Sequence, residues 1–388
     1  MLTKNIEFKN FPKIKKNYKI INFWNKLKKD YYDKLEPVLL SLKKNYDYSY
    51  SSKQLKRLKK FNNFKIYGMG GSIHGAKAIY SFLKKKIKKN FVFIDNINLE
   101  IDKKNQSSYL NIIISKSGNT LETIANFNSD KIKKNTVFIT ESKKSYITQI
   151  AEKMKGEVIE HNNFIGGRYS VLSETGMLPA SLMGLNPKKF KQLDNLISKK
   201  AFIKKLITSV ESILYFHSKK KTNSIILNYD ESSNDLFYWY QQLVAESLGK
   251  SGKGVLPIIS MMPKDNHSVM QLYLDGNKNN FFTFFFNEEN QTKRIHSLNI
   301  LNSHYFLKKK DMNKIMYTQF KATQNIFEKK KIPFRSFLIK KRSEETLGEL
   351  FTFFILETIL LGRALKINPY DQPAVELIKK ETVKILKK

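Results

Sequence analysis

Short apolar runs that alternate with glycine- and serine-rich turns and longer helical stretches constrain the fold of this chain most strongly. Four such runs follow one another between residues 64 and 140. Strands that alternate with helices typically pair in parallel, because each helix returns the chain to the same end of the sheet. We therefore predict an α/β fold with strands at 64–67, 91–94, 110–114 and 137–140.

The chain length of 388 residues predicts two domains, because a single hydrophobic core normally stops growing at about 250–300 residues. Apolar side chains at near-helical spacing predict a helical lead-in over 1–60, and the strand–helix pattern predicts a first domain over 61–200. Further strand candidates at 224–229 and 281–286 predict a second domain over 201–388 that ends in a helix.

The formal net charge of +36 raises the question of a polyanionic partner, since a strong positive field attracts nucleic acid without sequence specificity. The lysines, however, occur in short runs spread along the whole chain, and no helix-turn-helix segment is evident. We interpret the charge as a solvated, lysine-rich surface and expect no nucleic-acid partner. The same field would help to steer a small anionic substrate to its site.

The absence of cysteine excludes disulfides and thiol catalysis, and it is compatible with the reducing cytoplasm that we predict as the location. The N-terminus lacks the apolar stretch of a secretory signal. The most apolar segment, 347–365, is interrupted by Glu349 and Glu357, so it predicts a buried helix and no membrane partner. The six histidines show no spacing typical of a metal site, so no metal is expected.

Two loops carry residues suited to binding an anion. The loop at 67–72 (YGMGGS) follows a predicted strand, and its glycines allow backbone N–H groups to approach an anion, although such a turn is often only structural. The loop at 115–120 (SKSGNT) carries three hydroxyl groups and runs into the start of a predicted helix at 121–123 (LET). Neutral donors and a helix dipole suit a phosphate monoester, whereas the alternative is an ordinary helix cap.

Four further residues are candidates for acid–base chemistry. Arg168 follows two glycines in GGRYS, where a guanidinium can approach a developing oxyanion. Glu246 lies four residues after Gln242, on the same face of a predicted helix, and a carboxylate is a credible proton acceptor, although in isolation the pattern favours an ordinary surface glutamate. His267 lies in a polar loop and Lys379 lies in a lysine-rich tail. Without the motifs around them, neither residue indicates a catalytic role.

The chain resembles the glucose-6-phosphate isomerase family from about residue 64 to Lys379. The resemblance rests on six segments in this order: GMGGS, SKSGNTLET, GGRYS, QxxxESLGK, the loop that carries His267, and NPYDQPAVELIKK. The resemblance implies two sugar-isomerase (SIS) domains, each a parallel sheet flanked by helices in three layers. It also implies interconversion of glucose 6-phosphate and fructose 6-phosphate in glycolysis and gluconeogenesis, through ring opening and a cis-enediol, without a cofactor. The implied assembly is a homodimer in which His267 is contributed across the interface.

The resemblance also assigns roles to single residues. Glu246 would carry the proton between C2 and C1, Arg168 would stabilise the enediol, and His267 and Lys379 would open the sugar ring. Gln242 would position the substrate. The implied contacts to substrate and phosphate come from Gly71, Ser72, Ser115, Lys116, Ser117, Thr120, Gly167, Gln242 and Gln372.

Two alternative functions remain open at the level of sequence. Another isomerase of the same fold could also accept mannose 6-phosphate, because the choice of epimer depends on small contacts around C2. A sensor of sugar phosphates could use the same fold without catalysis, although a sensor has no need to retain Glu246, Arg168, His267 and Lys379 together. The chain also departs from the family pattern, with Leu248 where ESNGK has asparagine and Ile378 where a glycine usually precedes the lysine.

Overall fold

Two five-stranded sheets organise the chain in the computed structural model, which describes residues 1–14, 18–97, 109–129, 135–289, 293–295 and 300–388. The first sheet has the strand order β3-β2-β4-β5-β6 and is parallel throughout. The second has the order β1-β10-β9-β7-β8 and is parallel except for β1. The strands are β1 (Ile6–Lys9), β2 (Asn63–Tyr67), β3 (Asn90–Ile94), β4 (Tyr109–Ile114), β5 (Thr136–Thr140), β6 (Glu157–Glu160), β7 (Asn223–Asn228), β8 (Leu256–Met261), β9 (Asn280–Asn287) and β10 (Phe334–Ile339).

Helices cover both sheets and leave the central strands buried. Every residue of β9 and of β10 is buried, as expected for parallel strands with helices on both faces. The helices are α1 (Ile20–Tyr32), α2 (Pro37–Leu40), α3 (Ser52–Leu58), α4 (His74–Leu83), α5 (Leu121–Ser129), α6 (Tyr146–Lys153), α7 (Glu174–Leu182), α8 (Pro187–Phe190), α9 (Leu193–Ile197), α10 (Lys200–Ser218), α11 (Asn234–Leu248), α12 (Met270–Asp275), α13 (Met312–Lys329), α14 (Glu344–Ala364) and α15 (Val375–Leu386).

Helix α14 is the buried helix that the sequence predicted over 347–365. It packs against α10, α11 and α1, and 18 of its 21 residues are buried. Its Glu357 pairs with Arg335 of β10 in the core, where Nη1 lies 2.5 Å from Oε1 and both side chains are at most 1% exposed. Among the described residues, every helix is too short or too polar to cross a lipid bilayer.

The six strands predicted from apolar runs are confirmed as β2, β3, β4, β5, β7 and β9, each within one residue of its predicted bounds at either end. Within the helical lead-in predicted over 1–60, the structure has a strand at Ile6–Lys9 that the prediction did not include. These residues form β1, which pairs antiparallel with β10 at the edge of the second sheet. The alternation of buried Ile6 and Phe8 with exposed neighbours suits an edge strand, and it was too short to stand out in the sequence. The division between two domains near residue 200 stays a prediction.

Candidate active site

The glycine loop after β2 lies directly against the segment that carries Arg168. A Cβ atom added to Gly71 would come within 3.0 Å of three backbone atoms of Gly167 and Arg168, a distance that real Cβ atoms essentially never show. Gly70 has a φ of +53° and faces Gln242, whose Nε2 would lie 2.8 Å from an added Cβ. Gly71 is therefore required for the loop to approach the Arg168 backbone, and the left-handed conformation of Gly70 favours glycine beside Gln242.

The serine-rich loop after β4 ends at the N-terminus of α5. The Ser115 and Thr120 hydroxyls are 2.9 Å apart, and the backbone N–H of Asn119 donates to Ser117 Oγ at 3.2 Å. Gly118 has a φ of +66°, a conformation that favours glycine. Hydroxyl groups and the N–H groups of a helix N-terminus are thus collected at the carboxyl end of a parallel sheet, where ligands of such folds bind.

Lys116 is held to one side of this loop by groups that sequence reasoning missed. Its Nζ donates to the carbonyl oxygen of Asn163 at 2.8 Å and lies 3.5 Å from the carboxylate of Glu141. Burial lowers the pKa of Lys116, and the neighbouring Glu141 carboxylate opposes that effect. Glu141 directly follows β5, and a charged residue at the end of a predicted strand was a signal that could have identified it. Ser72 is half-buried at the end of the turn Gly70–Ser72.

Four of the five N–H donors of Arg168 are used within the protein. Nε donates to Ser247 Oγ at 2.7 Å, and Nη1 donates to Gln372 Oε1 at 2.6 Å. Nη2 donates to the carbonyl oxygens of Pro369 at 2.7 Å and Asp371 at 3.0 Å. A guanidinium carries five such hydrogens, so one N–H on Nη1 has no hydrogen-bond acceptor among the residues that the structure describes. The side chain is 1% exposed, which fixes both the charge and its orientation.

Glu246 lies beside that remaining donor. Its Oε1 is 3.6 Å from Arg168 Nη1, and its Oε2 accepts a hydrogen bond from Gln242 Nε2 at 2.9 Å. The Glu246 side chain is 20% exposed at the wall of a cavity of about 730 Å³ that Lys250 and Gln372 also line. Within the described residues, the buried Oε1 of Gln242 has no hydrogen-bond partner. The site therefore combines an accessible carboxylate with an immobilised positive charge.

The other two predicted acid–base residues are not brought to Glu246 by the described hydrogen bonds and ion pairs. His267 closes the turn Lys264–His267 after β8, and its side chain is exposed. Lys379 on α15 donates to Glu376 at 2.5 Å and is 59% exposed. Across the ranges that the structure describes, no three His, Asp or Glu side chains form a group that could hold a metal ion.

Two helix-flanked, mainly parallel sheets carry a serine-rich loop at a helix N-terminus and a carboxylate beside a fixed guanidinium, an arrangement that suits a phosphorylated ligand at the carboxyl ends of the strands. The model of the phosphoglucose isomerase family matches residues 44–388. The chain therefore belongs to the phosphoglucose isomerase family, as the ordered motifs predicted.

Relatives agree with this family, and solved structures share the fold. The chain is 30% identical over 350 residues to the glucose-6-phosphate isomerase of Methanocaldococcus jannaschii, covering 86% of each chain. It is also 30% identical over 355 residues to that of Mycoplasmopsis pulmonis, covering 83% of this chain and 82% of the relative. Its fold matches a glucose-6-phosphate isomerase from Chlamydia trachomatis with a TM-score of 0.72 at 19% identity, covering 87% of this chain and 72% of that one. It matches a hypothetical protein from Thermus thermophilus with a TM-score of 0.78 at 22% identity, covering 86% of this chain and 87% of that one.

Proposed function

We propose that this enzyme interconverts glucose 6-phosphate and fructose 6-phosphate through a cis-enediol, with Glu246 as the base and Arg168 as the stabilising charge. The observation that carries the proposal is the 3.6 Å separation between Glu246 Oε1 and Arg168 Nη1. At this distance a substrate oxygen can accept the unused N–H of Arg168 while the carboxylate reaches the adjacent carbon–hydrogen bond.

The chemistry follows from these two groups. Glu246 removes the proton from C2 of the open aldose, the electrons of the C2–H bond form the C1–C2 double bond, and the carbonyl oxygen becomes an enediolate oxygen. That oxygen takes its charge stabilisation from Arg168, which is already fixed and needs no reorganisation. Glu246 then returns the proton to C1, while the proton of the C2 hydroxyl moves to the C1 oxygen, so that C1 carries the hydroxyl and C2 becomes the ketone. One carboxylate can serve both carbons because they are neighbours.

The phosphate group would bind at the serine-rich loop. The hydroxyls of Ser115, Ser117 and Thr120 can donate to phosphate oxygens, and the N-terminus of α5 contributes a favourable dipole. Ser72 at the neighbouring glycine loop is a further donor. Lys116 adds a positive charge from the side, where Glu141 and Asn163 hold it.

The assembly that we propose is a cytoplasmic homodimer in which each subunit supplies His267 to the site of the other, with Lys379 assisting ring opening. Two observations support it. His267 is exposed and has no described contact with Glu246 of its own chain. Helix α15, which carries Lys379, has no buried residue and leaves Leu377 and Ile378 about 70% exposed, which suits a helix that packs against another surface.

The reaction and its base are tested by a coupled assay of fructose 6-phosphate turnover, with mannose 6-phosphate in parallel. We expect Glu246→Gln to lower kcat roughly 10²-fold to 10⁴-fold, the usual contribution of a general base, while inhibition by inorganic phosphate persists. Glu152→Gln, the same change at an exposed position of α6, is the matched control. Unchanged turnover in Glu246→Gln would remove that residue from the mechanism, and binding without turnover in the wild type would favour the sensor.

The shared site is tested by mixing inactive subunits. If His267 acts across the interface, random dimers of Glu246→Gln and His267→Ala subunits contain one intact site in each mixed dimer, which restores about a quarter of wild-type activity. If His267 acts within its own chain, every mixed dimer lacks an intact site and no activity returns.

A further inference from the structure

A closed ring of hydrogen bonds surrounds Arg168. Its Nε donates to Ser247 Oγ at 2.7 Å, and Ser247 Oγ lies 2.9 Å from the Tyr169 hydroxyl. Tyr169 donates to the carbonyl oxygen of Pro369 at 3.1 Å, and the same oxygen accepts from Arg168 Nη2 at 2.7 Å. Four groups from three segments of the chain thus form one loop of bonds that begins and ends at the guanidinium.

The direction of every proton in the ring is determined by chemistry. A guanidinium can only donate, so Ser247 accepts from Nε and its own hydrogen is free for Tyr169. The single hydrogen of Tyr169 then goes to Pro369, whose carbonyl can only accept. Arg168, Ser247 and Tyr169 are at most 1% exposed, so water does not compete for these groups. Burial raises the pKa of Tyr169 to about 12, which keeps this donor protonated at neutral pH.

Ser247 also determines how the ring is attached to the base. It is the residue after Glu246 in the last turn of α11, so the same turn of helix carries the proposed base and the hydroxyl that holds Nε of Arg168. The backbone of Arg168 is fixed independently, because its carbonyl oxygen accepts from Trp239 Nε1 at 3.2 Å. Arg168 is therefore held at its carbonyl oxygen and at Nε, Nη1 and Nη2 of its guanidinium.

We propose that Ser247, supported by Tyr169, is a positioning residue for the isomerisation, a role that rests on the proposed function of Arg168 and Glu246. The ring keeps the guanidinium in the plane that presents its unused Nη1 hydrogen to the enediolate oxygen. It also holds that group 3.6 Å from the Glu246 carboxylate, an ion-pair distance that is too long for a hydrogen bond. Without the Ser247 hydroxyl, Nε loses its partner and only the bonds on Nη1 and Nη2 remain, so the guanidinium can tilt toward Glu246 and form the hydrogen bond that would occupy both the base and the charge.

The test compares Ser247→Ala and Tyr169→Phe with Ser212→Ala. Ser212 is a matched control, since it is a fully buried serine on α10 whose hydroxyl donates only to the carbonyl of Thr208 in its own helix. For each variant, kcat and KM, inhibition by inorganic phosphate, and the affinity for a five-carbon aldonate 5-phosphate would be measured. The carboxylate of that compound imitates the enediolate, so its affinity reports on complementarity to the transition state.

We expect Ser247→Ala to lower kcat roughly 10-fold to 100-fold, as for a misplacement of about 1 Å, and to weaken analogue binding by a similar factor. Inhibition by phosphate and KM should stay near wild type, because the phosphate loop is untouched. Tyr169→Phe should act in the same direction, and the double variant should lose less than the product of the single losses, since both act through one ring. Ser212→Ala should match the wild type.

Two results would overturn the inference. One is an unchanged kcat in Ser247→Ala. The other is a loss of phosphate binding as large as the loss of analogue binding, which would mean that the hydroxyl supports the fold and not the guanidinium. The proposed function itself is supported if the wild type isomerises fructose 6-phosphate and the Glu246→Gln variant does not. Under that condition, either of the two results overturns only the role of Ser247. A wild type without turnover would instead refute the proposed function itself.

Discussion

Replacement of Gly71 by alanine tests most directly how the two halves of the site are joined. The added methyl group would come within 3.0 Å of the carbon and oxygen of Gly167 and the nitrogen of Arg168. Carbon atoms prefer about 3.5–4.0 Å, so the glycine loop and the Arg168 segment would have to separate by on the order of 1 Å. The obstacle is backbone on both sides and cannot be relieved by turning a side chain.

The expected cost follows from that geometry. Overpacking of a well-packed core typically costs about 1–3 kcal/mol, and a backbone obstacle places Gly71→Ala at or above the upper end of that range. Because the displaced segment carries the guanidinium, we also expect kcat to fall on the order of 10²-fold. The free energy of unfolding in urea and the coupled isomerase assay measure the two effects separately.

Gly166→Ala is the matched control, since it makes the same change in the segment that Gly71 contacts, just before Gly167 and Arg168. Gly166 has a φ of −62°, which alanine adopts readily, and an added Cβ would lie 3.7 Å from Tyr169 in ordinary contact. The free energy of unfolding of the Gly166→Ala variant should stay within about 0.5 kcal/mol of the wild-type value. A Gly71→Ala variant as stable and as active as Gly166→Ala would refute the packing argument.

Three further predictions concern charge. Arg168→Lys should lower kcat/KM at least roughly 10-fold in the coupled assay, because an ammonium cannot reproduce the planar fork of the guanidinium; an active lysine variant would contradict this. Glu357→Leu should cost about 3–5 kcal/mol in urea unfolding, because it leaves Arg335 buried without a counter-charge, whereas Glu328→Ala in a half-exposed pair should cost less than about 1 kcal/mol. Burial lowers the pKa of His161 from 6.5 to about 4, so between these pH values only the unfolded chain takes up the proton and stability falls as pH falls. Between pH 7 and 4, the free energy of unfolding should therefore fall by up to about 3 kcal/mol less in His161→Phe than in the wild type. An equal fall in both proteins would show that His161 does not cause the acid sensitivity.

The strands that the sequence predicted are those whose signal is local. β2, β4 and β9 are mainly apolar runs bounded by turn residues, and this pattern is visible without any knowledge of neighbouring strands. β1 escaped prediction because a four-residue edge strand depends on pairing with β10, more than 300 residues later in the chain. β8 begins with an exposed Leu256 followed by a proline, so its short pattern indicates a turn as readily as a strand.

The residues of the candidate site likewise divide into those that local sequence predicts and those that only the structure reveals. The motifs identified Glu246 and Arg168 because a carboxylate beside Gln242 and an arginine after two glycines are recognisable in one stretch of chain. Nothing in those motifs indicated Glu141 as the partner of Lys116, since that pair joins the ends of two strands that are neighbours only in the sheet.

Sequence by itself determined the family, the alternation of strands and helices, and the identity of the proposed base and its stabilising charge. Only the tertiary structure shows that four of the five guanidinium N–H groups of Arg168 donate hydrogen bonds within the protein. Their acceptors belong to Ser247, Pro369, Asp371 and Gln372. The physical reason is that a motif specifies which chemical groups are present, whereas the number of donors left for substrate depends on hydrogen bonds between segments about 80 and 200 residues away from the arginine along the chain.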